Sequence, residues 1–182
     1  KAGYPGYKIH PNRSWPKEHD VELEMEIYRA VRQVVSDDWP IMSDPLEVHR
    51  YPEALRVGRL LDDLGYYWYE SPMPESEEHI PEYAELRKHL RLPLIGGERT
   101  VGDHEIRLQW LRSGATDWGR IDAYYGGLTS CFLVAIECEK LGVPMDIHCG
   151  THHSLQVFGA TSQQLIPFAE DFNSTYWGER LT

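Results

Sequence analysis

The sequence predicts an α/β fold of the (β/α) TIM-type barrel class. Short apolar segments, each ending on a polar or charged residue, alternate with helix-like patterns of ten to sixteen residues. Strands joined in turn by helices run parallel, which leaves an open doubly wound sheet or a barrel. No G-x-G-x-x-G or Walker loop follows any of the segments, and this favours the barrel.

The elements follow in order. Residues 7–10 form a first strand, and a polar loop spans 11–20. Residues 20–35 contain an alternating run, but Glu, Leu and Met favour helix, and Leu23, Ile27, Ala30, Val31 and Val34 fall on one helical face. A strand at 40–44 precedes an amphipathic helix at 51–65. There Pro52 suits the first turn, Ala54, Val57, Leu61 and Leu64 recur at helical spacing, and Gly65 suits a left-handed stop. Strands at 66–70, 94–98, 118–122 and 145–148 alternate with helices at 81–90, 103–113 and 128–141. The last of these helices is apolar nearly all round and is expected to be well buried. A seventh strand is expected to begin at Tyr176.

The 182 residues are 41% hydrophobic and 26% charged, an ordinary globular composition for one domain. A formal charge of -11 with no basic block opposes binding to nucleic acid or an anionic membrane surface. No apolar run approaches the roughly 20 residues of a membrane span, and the first residues lack the pattern of a secretory signal. Cys131, Cys138 and Cys149 form an odd set without a C-x-x-C pair, which suits a reducing cytoplasm. Cys131 and Cys138 read as buried helix thiols.

In a parallel barrel the C-terminal strand ends gather on one face, where active sites are built. Those ends carry Lys8 and His10, Asp44, Glu70, Glu98, Asp122 and His148. Asp44, Glu70 and Glu98 are hard oxygen donors on consecutive strands, a set whose chemistry selects Mg2+, with Mn2+ the other candidate. Each carboxylate alone also fits a helix cap or a partner for Lys or Arg. Asp37 and Asp38 compete with Asp44 for the first position, but they fall at the entering end of their strand.

The order and spacing of these tags resemble the enolase superfamily, specifically its mandelate racemase-like subgroup. The marks are Tyr7-Lys8-Ile9-His10 where the subgroup has K-x-K or a variant, Asp44 eight residues before Pro52, and Trp68-Tyr69-Glu70-Ser71-Pro72 for W-x-E-x-P. Gly97-Glu98, Asp122 shortly before Gly126-Gly127-Leu128-Thr129, and Pro144-Met145-Asp146-Ile147-His148 complete the set. The resemblance implies that Asp44, Glu70 and Glu98 bind Mg2+. It also implies that Asp122 and His148 form a dyad whose imidazole takes a proton, and that Lys8 and His10 lie across the substrate. His10 stands where relatives commonly have a second Lys, a departure that weakens a symmetrical two-base racemisation. The implied reaction is dehydration of a sugar acid to a 2-keto-3-deoxy acid, with racemisation or epimerisation as the runner-up.

Arg99 either grips a substrate carboxylate or neutralises the acidic mouth, and His152 is a candidate substrate contact. The run His148-Cys149-Gly150-Thr151-His152-His153 admits a zinc hydrolase, but it lacks the spaced ligand pairs of zinc sites. His49, His79, His89 and His104 are expected on loops or helix surfaces, and Trp68 in the core. A non-catalytic sugar-acid binder is a third reading, opposed by the complete ligand set. Six or seven strands fall short of the eight of a closed barrel. The chain is therefore expected to be part of a C-terminal catalytic barrel domain, holding strands two to seven and the start of eight, without the N-terminal capping domain of relatives. Homo-oligomers are common among relatives.

Overall fold

The computed structural model describes residues 4–11, 19–100, 104–148 and 152–170. The chain divides into two compact units, Lys1–Gly96 with Ser113–Asp117, and Gly97–Arg112 with Trp118–Thr182. The expected strand at Tyr176 and the thiol of Cys149 lie outside the described residues.

The first unit is built on a parallel sheet whose spatial order equals its sequence order: β1 (Tyr7–Ile9), β2 (Ile41–Ser43), β3 (Tyr69–Glu70) and β4 (Leu94–Ile95). Ser43 pairs with Tyr69, and Glu70 pairs with Ile95. That register brings the polar ends of consecutive strands to the same edge. Among the described residues its α-helices are α1 (Val21–Val34), α2 (Tyr51–Asp63) and α3 (Ile80–Arg87), the last preceded by a 3-10 turn at Glu77–His79. Asp20 caps α1 by accepting from the amides of Glu22 and Leu23, and Pro52 stands in the first turn of α2. Gly65, at φ 65, follows the end of α2 as expected.

The face of α1 differs from expectation. Leu23 and Val34 are exposed, and the buried residues are Glu24, Met25, Tyr28 and Arg32. Polar partners decide this face. Glu24 and Tyr28 hydrogen-bond inside the unit, and Arg32 donates to the carbonyl of Ser36, so their burial is compensated. A hydrophobicity pattern cannot register such pairs.

The second unit pairs β5 (Gly119–Asp122) with β6 (Met145–His148) in parallel, with Asp122 opposite His148. Helices α4 (His104–Arg112), α5 (Ala123–Leu141) and α6 (His152–Ala160) accompany them. Its core gathers Ile121, Cys131, Val134, Cys138, Met145, Ile147 and Val157. Both cysteines are free and buried, and burial pushes their thiols up to about 11 for Cys131 and about 12 for Cys138.

Helix α5 differs from expectation in two respects. Non-helical backbone at Gly127 (φ 70, ψ 168) divides it, so the expected helix over 128–141 follows the kink, while a short helical segment that was not expected, capped by Asp122, precedes it from Ala123. The helix is also buried on one side only, since Leu133 and Ile136 are exposed. Among the described residues, no helix is long and apolar enough to cross a membrane.

Candidate active site

In the first unit, the strand ends bring together Lys8, His10, Asp44 and Glu70. Glu70 is fully buried and Asp44 nearly so. The Lys8 ammonium donates to both oxygens of Glu70 at 2.9 and 3.1 Å and lies 3.8 Å from Asp44 Oδ2. His10 Nδ1 is 3.2 Å from the same Asp44 oxygen. Trp68 is buried as expected, and its indole N–H also donates to Glu70 Oε2 at 3.1 Å, which fixes the carboxylate plane. Two buried carboxylates with one cation drawn to both are a hard-oxygen pair that fits a divalent ion. Asp37 and Asp38 are exposed in the turn entering β2.

The backbone beside these carboxylates is strained. Leu46, Glu47 and Ser71 adopt positive φ (61, 63 and 41), a conformation that costs a non-glycine residue about 1–3 kcal/mol. Local bonds hold it. The Leu46 amide donates to Asp44 Oδ1, the Glu47 amide to the Ser71 carbonyl, and the Ser71 hydroxyl to Glu75 Oε1. Nothing in the residue types signalled this strain.

In the second unit, the structure brings together Glu98, Asp122 and His148. Asp122 Oδ2 lies 2.8 Å from His148 Nδ1, while its Oδ1 accepts the Tyr124 amide that opens α5. Burial pushes the Asp122 carboxyl up, but the hydrogen bonds from His148 and the Tyr124 amide outweigh it and hold it below its ordinary value. The dyad thus holds a carboxylate at Nδ1 and turns Nε2 toward Glu98, 3.8 Å from its Oε1. His148 keeps 20% of its side chain exposed, enough for a reactant to reach it.

Glu98 sits beyond the end of β4, which stops at Ile95, rather than on the strand as expected. It is held by Arg120, whose Nη2 is 2.5 Å from Oε2 and whose Nη1 contacts Asp146. The Arg107 guanidinium donates to the Glu98 carbonyl. Arg99 is 45% exposed with Nε 3.9 Å from Glu98 Oε1, and His152 opens α6 with an exposed side chain. Sequence reasoning passed over Arg120, although a charge inside the strand Gly119–Asp122 was itself the signal.

Gly97 sets the approach to Glu98. Its φ is 88, and a Cβ there would lie 2.9 Å from Trp110 Cγ. Gly97→Ala is therefore expected to cost about 2–4 kcal/mol, combining the conformational strain with the clash. Urea unfolding measures this, and wild-type stability would show that the Trp110 ring gives way.

His49 corrects an expectation of surface exposure, since it is almost completely buried. Its Nε2 lies 2.7 Å from Glu24 Oε2, and its Nδ1 lies 2.7 Å from the Tyr69 hydroxyl. Burial pushes the Glu24 carboxyl up, but bonds to His49, Tyr28 and His19 hold it below its ordinary value.

All of the chain, residues 1–182, matches the family described as "Enolase C-terminal domain-like". It is 27% identical over 149 residues to the arabinonate dehydratase of Saccharolobus solfataricus, covering 81% of this chain and 38% of that protein. It is 30% identical over 144 residues to the L-talarate/galactarate dehydratase of Salmonella typhimurium, covering 79% of this chain and 35% of that protein. The crystal structure of D-glucarate dehydratase from Agrobacterium tumefaciens complexed with magnesium superposes on 93% of the chain with a TM-score of 0.84 and 32% identity, covering 44% of that chain. The chain spans between 25% and 41% of the length of four curated relatives it matches. The match along its whole length, with consecutive parallel βα units, establishes that the chain belongs to the enolase superfamily, in its mandelate racemase-like branch, whose C-terminal domain is a TIM-type barrel.

Proposed function

We propose that the protein is a Mg2+-dependent sugar-acid dehydratase that forms a 2-keto-3-deoxy acid. The observation that carries this reading is the His148–Asp122 pair at 2.8 Å, an imidazole with one nitrogen tied to a carboxylate and the other turned to Glu98. Relatives named as sugar-acid dehydratases support the substrate class.

Asp44, Glu70 and Glu98 would hold the ion, and Mn2+ has the same donor preference. Bound magnesium would supply positive charge to a substrate carboxylate, lowering the barrier to enolisation at the adjacent carbon. His148 Nε2 takes the proton from that carbon as Asp122 stabilises the imidazolium. Lys8 stabilises the developing enediolate charge through its ammonium. The imidazolium then returns a proton to the hydroxyl on the next carbon, with His10 the other candidate donor. That C–O bond breaks, water leaves, and the enol tautomerises to the 2-keto acid. Arg99 and His152 are the proposed substrate contacts.

Racemisation would share the enediolate but needs a second base on the opposite face of the carbon. His10 stands where relatives commonly have a second Lys, and this departure favours elimination. The activity is proposed for the complete protein, with this chain as part of its C-terminal barrel domain. The test is a sugar-acid library with Mg2+, read as 2-keto acid formation. At least one substrate is expected to turn over, and chelation is expected to stop it. Exchange of the alpha proton in D2O without keto acid formation would point to racemisation, and neither signal would leave a binder.

A further inference from the structure

We propose that His19, Glu24 and His49 form a second metal site, distinct from the carboxylate set, which takes a zinc-class divalent ion. Their ligand atoms all lie within 4.8 Å of one another. His19 Nε2 and His49 Nε2 approach the same oxygen, Glu24 Oε2, at 2.6 and 2.7 Å. Two imidazoles and a carboxylate are a recognised three-ligand set for Zn2+, with a water completing the tetrahedron. Ligands on one tetrahedral zinc sit about 3.4 Å apart, so each His–Glu gap opens by less than about 1 Å to admit the ion.

The surroundings orient the ligands. The Tyr28 hydroxyl donates to Glu24 Oε1 at 2.8 Å, leaving Oε2 as the ligating oxygen. The Tyr69 hydroxyl lies 2.7 Å from His49 Nδ1. Burial keeps the Tyr69 phenol protonated. A carboxylate can only accept, so in the metal-free protein the His49 Nε2 facing Glu24 carries a proton, while the Tyr69 hydroxyl faces Nδ1. On metal binding, the imidazole proton moves to Nδ1 and donates to the Tyr69 oxygen, freeing the Nε2 lone pair, the hydrogen-bonded arrangement typical of metal-bound histidine. Glu24 and His49 are buried, whereas His19 keeps 14% of its side chain exposed and marks the route of entry.

The ion would join the residue before the cap of α1 to the segment that leads into α2. Tyr28 also bonds Ser43, the neighbour of Asp44, and Tyr69 is the neighbour of Glu70. The site would therefore brace two strand ends from the side opposite the carboxylates, and this assignment does not depend on the proposed reaction.

The test titrates the metal-free protein with Zn2+ by calorimetry and with Co2+ by absorption, both in excess Mg2+ to fill the carboxylate set. One Zn2+ per chain and a tetrahedral Co2+ spectrum are expected. His19→Gln, chosen because the residue is partly exposed, should weaken binding by more than about 100-fold, since loss of an outer-sphere partner alone costs about 10–100-fold. Tyr69→Phe should fall within that smaller range. The proposal is overturned if no Zn2+ binds in excess Mg2+. It is equally overturned if His19→Gln leaves the affinity unchanged, or if the ion is lost instead from a His152→Gln, His153→Gln variant.

Discussion

Replacing His148 with Asn is expected to lower kcat by about 10²–10⁴-fold, the usual contribution of a positioned general base, while magnesium affinity stays nearly unchanged. An amide in place of the imidazole keeps a polar group near Asp122 but has no nitrogen able to take a proton. Steady-state rates and alpha-proton exchange in D2O should fall together. If both persisted, the base role would pass to His10. Asp122→Asn separates charge from structure. Asn caps helices as well as Asp, so the Tyr124 amide keeps its acceptor and α5 its first turn, whereas the imidazolium loses its counter-charge. A loss of kcat with unchanged unfolding midpoint would place the role of Asp122 in electrostatics rather than in folding.

Arg120→Met should cost about 3–5 kcal/mol of stability, the largest effect expected outside the proposed His148–Asp122 dyad. The guanidinium is fully buried and serves two buried acids, Glu98 at 2.5 Å and Asp146. Removing it leaves Glu98 with the longer contacts of Arg99 and His148, and strips Asp146 of its cation inside the unit. The penalty comes from desolvated charge left behind, not from the lost attraction alone. Urea unfolding of Arg120→Met, Asp146→Asn and the double variant measures the coupling. If the double variant were no more stable than Arg120→Met, Asp146 would not be the group that Arg120 neutralises.

Much of the candidate site's placement was legible because strand ends are punctuated by charge. Asp44, Glu70, Asp122 and His148 each close or adjoin an apolar segment, and the structure puts each at or just past a strand end, with Lys8 inside β1 and His10 just past it. Glu98 was legible as a residue but not in its place, since two glycines carry the chain beyond β4 before it appears. The face of α1 was misread for a physical reason. Glu24 is buried by a partner distant in sequence, His49, and Arg32 by the carbonyls of Ser36 and Trp39 in the loop after the helix, and periodicity has no access to such pairing. His49 was misjudged in the same way, because a histidine's burial depends on whether both ring nitrogens find partners. The strain at Leu46, Glu47 and Ser71 was invisible, since none of those residue types favours positive φ.

Neighbouring residues of β3 serve opposite sides of the sheet. Trp68 and Glu70 meet on one side, while Tyr69 reaches His49 on the other. Adding or deleting a single residue here would exchange the two addresses, setting a phenol where an acid belongs and an acid where a phenol belongs. Such a segment can change its letters one at a time but cannot change its count, so length variation in this molecule belongs in the connections well away from the strand ends.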